Sequence, residues 1–221
     1  MVNPSTIIAI DGPSASGKGT LARRLAAHYD FAHLDTGLLY RAVGLTILYR
    51  GGDPSDPIEA ERAARDLKPE QLLTIVNAPA LRQDATSIAA SKVAAIPIVR
   101  AALLKFQQDF CLHPPDGKPG AVLDGRDIGT VIAPDAKVKI YVTANAAARA
   151  ARRFKELQAK GENVTRESVL ADMQDRDDRD AGRAAAPAKP APDAVMLDTS
   201  DLTADEAFAA AVKIIDSKLR N

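Results

Sequence analysis

Tryptophan is absent, and phenylalanine and tyrosine together make up only 4 % of the chain. So few aromatic rings argue against stacking platforms for single-stranded nucleic acid. A single cysteine, Cys111, leaves no partner for an intramolecular disulfide and too few thiols for a cysteine-rich zinc site. Neither sign of charge prevails: lysine plus arginine and aspartate plus glutamate both number 29. No global field therefore draws the chain to nucleic acid or to an anionic membrane. No run approaches the ~20 apolar residues of a membrane span. The N-terminus lacks the basic segment and apolar stretch of a secretory leader, so the expectation is a cytoplasmic protein. His28, His33 and His113 are scattered, and each is read as structural or exposed.

What is present is enough for one substantial core: 221 residues, 46 % of them hydrophobic. The chain is organised around its first motif. Residues 7–10, all apolar, read as a buried parallel strand. Gly12-Pro13-Ser14-Ala15-Ser16-Gly17-Lys18-Gly19-Thr20 follows. This is the phosphate-cradling pattern G-x-x-x-x-G-K, with the hydroxyl displaced by one residue to Thr20. Glycines let backbone N–H groups approach a polyphosphate closely, because no Cβ intervenes. The next helix adds the positive end of its dipole, and Lys18 adds a full charge. Leu21, Leu25 and Ala26 recur at helical spacing, so the loop lies between strand and helix, as the motif requires.

Further strands are expected near residues 31–34, 121–124, 137–142 and 194–197, with helices between them. That alternation predicts an α/β fold with a five-stranded, doubly wound parallel sheet. Asp35 and Thr36 are candidate N-caps for a helix through Arg50, with Leu38, Leu39, Val43, Ile47 and Leu48 as its apolar stripe. Residues 58–110 read as mostly helical, with residues 72–76 open to strand or helix. Residues 113–120 read as a plain linker, and the alanine- and proline-rich residues 184–192 as a loop. Thr203 and Glu206 form a capping box opening the last helix. Ligands on such sheets sit beyond the strand carboxyl ends. Asp11, Asp35, Asp124 and Thr143 all fall there.

Three polar clusters follow the strands. Thr36 and Arg41 succeed the second, and Arg41 can reach an anion in the same crevice. Asp124-Gly125-Arg126-Asp127 succeeds the third. Its first carboxylate suits a water-mediated contact to magnesium, and Arg126 can neutralise phosphate charge. Arg176, Arg179, Asp180 and Arg183 share one face of a late helix. The arginines would repel one another without an anion, although pairs such as Asp172–Arg176 and Asp175–Arg179 would equally suit a solvated helix. Arg149, Arg152 and Arg153 form a second basic face with the same two readings. Ser91 and Arg100 place a hydroxyl and a guanidinium beside the crevice.

Taken together, residues 12–20, 35–41, 91–100, 124–127 and 176–180 resemble the bacterial cytidylate kinases, in that family's order across nearly the whole chain. Gly-Lys-Gly-Thr is itself the nucleoside monophosphate kinase form of the loop. The resemblance implies a P-loop NTPase fold made of a core (residues 1–52 and 111–221), a CMP-binding insert (53–110) and a short lid (about 155–190). It implies transfer of the γ-phosphoryl of ATP to CMP or dCMP with Mg2+, by a cytoplasmic monomer. By position, Gly12 to Thr20 and Arg153 would hold ATP. Thr36, Arg41, Ser91, Arg100, Arg126, Asp127, Arg176, Asp180 and Arg183 would hold CMP, with Ser91, Arg100 and Asp127 reading the base. Lys18, Arg126, Arg176 and Arg179 would neutralise transition-state charge, and Thr20 and Asp124 would attend the metal. Thr36 stands where many members have serine, and the insert is shorter than in many members.

Two rival readings are weaker. A kinase of UMP, AMP or a hydroxy acid would lack the Ser91, Arg100 and Asp127 set. A guanine-nucleotide switch would need N-K-x-D after the fourth strand, where Thr143-Ala144-Asn145-Ala146 stands.

Overall fold

The protein is described here from a computed structural model, over residues 5–67 and 79–220, the side chain of Arg82 aside. The ambiguous stretch at 72–76 lies outside the described residues.

Five strands form one all-parallel sheet in the order β2-β3-β1-β4-β5. They are β1 (Thr6–Asp11), β2 (Ala32–Asp35), β3 (Gly120–Gly125), β4 (Val138–Thr143) and β5 (Val195–Asp198). Side chains alternate across the pleat. Ile8 and Ile10 of β1 therefore point to one layer, with Leu21 and Leu25 of α1 (Lys18–Tyr29) and Ala211 and Ile215 of the last helix. Ala9 points to the other, with Leu123, Ile128 and Cys111. Burial on both faces is why β1 reads as a continuous apolar run.

Helix α2 (Gly37–Tyr49) is followed by α3 (Pro57–Asp66), α4 (Asp84–Val93) and α5 (Pro97–Leu112). Leu39, Val43, Leu81, Val93, Val99 and Leu103 give these helices a core of their own. The buried face of α2 is broader than the expected stripe: Tyr40, Ala42 and Leu45 join it, while Leu48 is exposed. Helix α2 packs on α4 and on α3 at once, so a narrow stripe would not cover it. Of the two candidate caps, only Asp35 accepts from the helix start. Thr36 makes no side-chain cap; instead Asp35 Oδ1 accepts the Gly37 N–H at 3.0 Å.

Helices α6 (Ala146–Ala159) and α7 (Arg166–Ala181) pack through Ala150, Leu157, Val169 and Met173. Helix α8 (Ala204–Arg220) closes the chain, opened by the expected Thr203–Glu206 box. The linker at 113–120 contains a short 3-10 turn, Pro115–Gly117. A π-turn, Ile128–Ile132, follows the third strand's polar cluster, and its spacing carries no signal of its own in the sequence.

Candidate active site

The order of the strands reverses at β1, and the glycine loop leaves its carboxyl end there. Gly12 is pressed against β4 so closely that a Cβ would fall on the Val142 carbonyl. Gly17, at φ 90°, takes the left-handed conformation that turns the chain into α1. Ala15 is also left-handed at φ 56°, a strained conformation of the kind that functional loops hold. No side chain caps α1, so its first N–H groups remain for a ligand. The hydroxyls of Ser14 and Ser16 are buried without a hydrogen-bond partner. Thr199, after β5, braces the loop from behind: its Oγ1 donates to the Ser16 carbonyl at 3.0 Å.

Lys18 reaches back to the Pro13 carbonyl at 3.3 Å. Its enclosure in the cleft pushes its pKa down to about 7; Arg126 adds to the drop, while Asp124 and Asp35 oppose it. Asp124 and Asp35 are cross-strand neighbours on β3 and β2. Burial first, and then Asp124, raise the Asp35 carboxyl above its ordinary range. One Asp124 oxygen lies 3.5 Å from where a Gly19 Cβ would stand, so the carboxylate faces the start of α1. Thr20, in the first turn of α1, is exposed and accepts from Arg23 at 3.4 Å.

Facing the loop is a cleft of about 590 Å3. Of the loop candidates, Ser14, Ala15, Gly17, Lys18, Gly19 and Thr20 line it, and Gly12, Pro13 and Ser16 lie behind. Asp124, Thr36, Arg41, Ser91, Arg100, Arg126, Asp127, Arg153, Arg176, Arg179, Asp180 and Arg183 all line the same cleft. Segments far apart in the chain thus meet on one wall.

Most of these charges are held in place. Arg126 Nε donates to Asp180 Oδ2 at 2.9 Å, and Arg183 pairs with the same carboxylate. Burial opposes that carboxylate's charge, but Arg126, Arg183 and Arg176 outweigh it and hold Asp180 below its usual range. Arg100 pairs with Asp127, both buried, and lies 5.3 Å over the Tyr40 ring. Arg41 donates to the Leu81 carbonyl at 2.9 Å and to Ser87 Oγ at 2.6 Å. Arg176 is the exception. Its Nε is buried without a partner, and burial together with Arg126 pushes its pKa down to about 9. The alternative pairs Asp172–Arg176 and Asp175–Arg179 are absent among the described residues. Arg179 instead donates to Ser91 Oγ at 3.3 Å.

The second basic face is not simply solvated. Arg149 pairs with Asp177 at 2.7 Å and touches the Ser14 carbonyl at 3.3 Å. Arg152 clasps Thr199. Arg153 pairs with Asp84 at 2.7 Å and Glu156 at 2.9 Å, joining α6 to α4. Thr36 is also committed: its hydroxyl donates to the Asp124 carbonyl at 2.9 Å. Sequence reasoning missed the partners Ser87, Asp84 and Thr199, which belong to no motif. It also missed the task of Asp11, whose carboxylate accepts the N–H groups of Ile128 and Gly129, each at 2.8 Å. Only the position of Asp11 beside the loop hinted at it.

A glycine loop with unpartnered hydroxyls, a lysine, and arginines converging from the opposite wall of a parallel α/β sheet define a nucleotide-dependent kinase of the P-loop class. The cytidylate kinase family model matches residues 8–217. The chain is 62 % identical to a cytidylate kinase of Paramagnetospirillum magneticum over 97 % of its length and 99 % of the relative's. It is 57 % identical to one of Rhodospirillum rubrum, covering 96 % and 98 % of the two chains. A crystal structure of an uncharacterized protein from Eubacterium ventriosum shares the fold, with TM-score 0.54 and 16 % identity over 96 % of this chain and 99 % of that one. The chain belongs to the cytidylate kinase family.

Proposed function

We infer that the protein transfers the γ-phosphoryl group of ATP to CMP or dCMP, giving ADP and CDP or dCDP. The observation that carries this is the pair of buried, unpartnered donors, the Ser14 hydroxyl and Arg176 Nε, on residues that line one cleft. Buried polar groups are normally satisfied, and phosphate oxygens are acceptors of the right charge for these.

We assign the loop from Gly12 to Thr20 and Arg153 to ATP. Thr36, Arg41, Ser91, Arg100, Arg126, Asp127, Arg176, Asp180 and Arg183 we assign to CMP. The Arg100–Asp127 pair offers donors and acceptors for a base edge, and Arg41 and Arg126 offer charge for the acceptor phosphate. An oxygen of that phosphate attacks the γ-phosphorus in line as the bond to the ADP oxygen breaks. The acceptor is already an anion, so no general base is needed. Lys18, Arg126, Arg176 and Arg179 meet the charge on the transferred oxygens.

The donor set fits magnesium. Among the described residues no group of three or more histidine, cysteine or carboxylate side chains forms a metal cage. Asp124 and Thr20 offer hard oxygen ligands at the loop, and magnesium takes most of its remaining ligands from phosphate and water. When bound, it would neutralise phosphate charge there.

We further propose the division into a core (1–52 and 111–221), an insert (53–110) and a lid (about 155–190), in a cytoplasmic monomer. The separate apolar cluster between α6 and α7 supports the lid. So do the Arg153–Asp84 and Arg179–Ser91 contacts, which bring these segments together over the cleft.

The test is a coupled ADP-release assay with ATP, magnesium and each of CMP, dCMP, UMP, AMP and GMP. Turnover confined largely to CMP and dCMP is expected. Preference for another monophosphate would reject the base-reading assignments, and no transfer to any would reject the function.

A further inference from the structure

Asp124 has one hydrogen-bond partner for its carboxylate among the described residues, the His33 ring. His33 lies on β2 two residues before Asp35, which is the cross-strand neighbour of Asp124. Its Nε2 stands 2.8 Å from Asp124 Oδ1, and the two side chains are 20 % and 4 % exposed. The other carboxylate oxygen, Oδ2, faces the start of α1 at Gly19. The carboxylate is thus divided between a ring on one side and the phosphate loop on the other. A terminal carboxylate torsion is broad. With the Asp35 carboxylate on the adjacent strand, an unheld Asp124 would turn away from it and scatter.

We propose that His33 is a positioning residue, whose Nε2–H holds Asp124 so that Oδ2 stays directed at the phosphate loop to receive the nucleotide's magnesium or its bound water. The inference rests on the kinase reading of the site given above. Carboxylates that ligate metals are themselves oriented by hydrogen bonds, and those outer partners influence metal affinity. The histidine does not touch the reacting atoms.

The test uses the full chain with ADP and Mn2+, a paramagnetic ion that shares magnesium's preference for oxygen ligands. Free and bound Mn2+ are counted by electron paramagnetic resonance for wild type, His33→Leu and His33→Gln. Leucine keeps the bulk and loses the donor, whereas glutamine keeps an N–H at similar reach. His33→Leu is expected to weaken Mn2+ binding to the enzyme–ADP complex on the order of tenfold. His33→Gln should restore it to within about twofold, and KM for CMP should hold in both. Three results would overturn the proposal. Leucine could bind Mn2+ like wild type, glutamine could fail to rescue, or the metal loss could come with equal losses of CMP affinity and melting temperature. The last would make His33 a link between β2 and β3 only. Transfer to CMP by the wild type, measured separately, reports on the kinase reading itself.

Discussion

Arg126 and Asp127 are adjacent in the chain, yet their environments set them different tasks. Arg126 is tied to Asp180 across the cleft and lowers the Lys18 pKa, so it acts at the phosphate loop. Replacing it with alanine should reduce kcat about 10²–10³-fold, the usual loss when a transition-state donor is removed. A folded Arg126→Ala variant with unchanged turnover would dismiss its assigned role. Asp127 is buried against Arg100. Asp127→Asn removes a charged acceptor worth about 1.5–3 kcal/mol. It should raise KM for CMP by about tenfold or more and leave KM for ATP within about twofold. Equal losses for both substrates in steady-state kinetics would show that Asp127 serves the whole site and not the base.

At the scale of elements, the cleft wall depends on how closely α2 and α4 cross. Gly44 of α2 makes that possible: a Cβ there would stand 2.9 Å from Ala89 Cβ and 3.0 Å from the Ala90 backbone nitrogen. Backbone cannot yield as a side-chain tip can. Overpacking costs about 1–3 kcal/mol, while alanine regains up to ~1 kcal/mol of helix propensity. Gly44→Ala should therefore destabilise the protein by about 1–2 kcal/mol in urea unfolding, and Gly44→Val by more. A more stable alanine variant would mean that the helices separate freely. Because α4 carries Ser87, Asp84 and Ser91, the same change should also loosen Arg41, Arg153 and Arg179.

For the whole molecule, pH acts through Asp11. Burial pushes this carboxyl up to about 6, against the pull of the Gly129 and Ile128 N–H groups. In the unfolded chain it titrates near 3.9. Between those values the folded protein keeps a proton that the unfolded chain releases. The contribution of Asp11 to stability is therefore full below about pH 4 and is lost as pH rises through about 6. Two units correspond to about 3 kcal/mol. The stability difference between wild type and Asp11→Asn, from unfolding curves at pH 4 to 7, should fall by that order and then level off. A difference independent of pH would show that the carboxyl is not shifted.

Local rules were enough for much of this protein. The apolar run at residues 7–10, the G-x-x-x-x-G-K spacing and the Thr203–Glu206 box are set by residues within a few positions of each other. Strand, loop, helix and cap could therefore be read without the tertiary fold. The clusters after each strand were also legible, because a parallel sheet sends all its carboxyl ends to one side. Partnership was not legible. Pairs such as Arg179–Ser91, Arg153–Asp84, Arg126–Asp180 and His33–Asp124 bridge segments dozens of residues apart. In sequence, Arg176 and Arg179 were as ready to pair with aspartates one turn away. Thr36 was as ready to cap its own helix. Burial decided otherwise, since each buried group takes whichever partner the packed chain brings within reach. The chemistry was written in residue order; which charges are held and which stand ready for phosphate was decided only by the folded cleft.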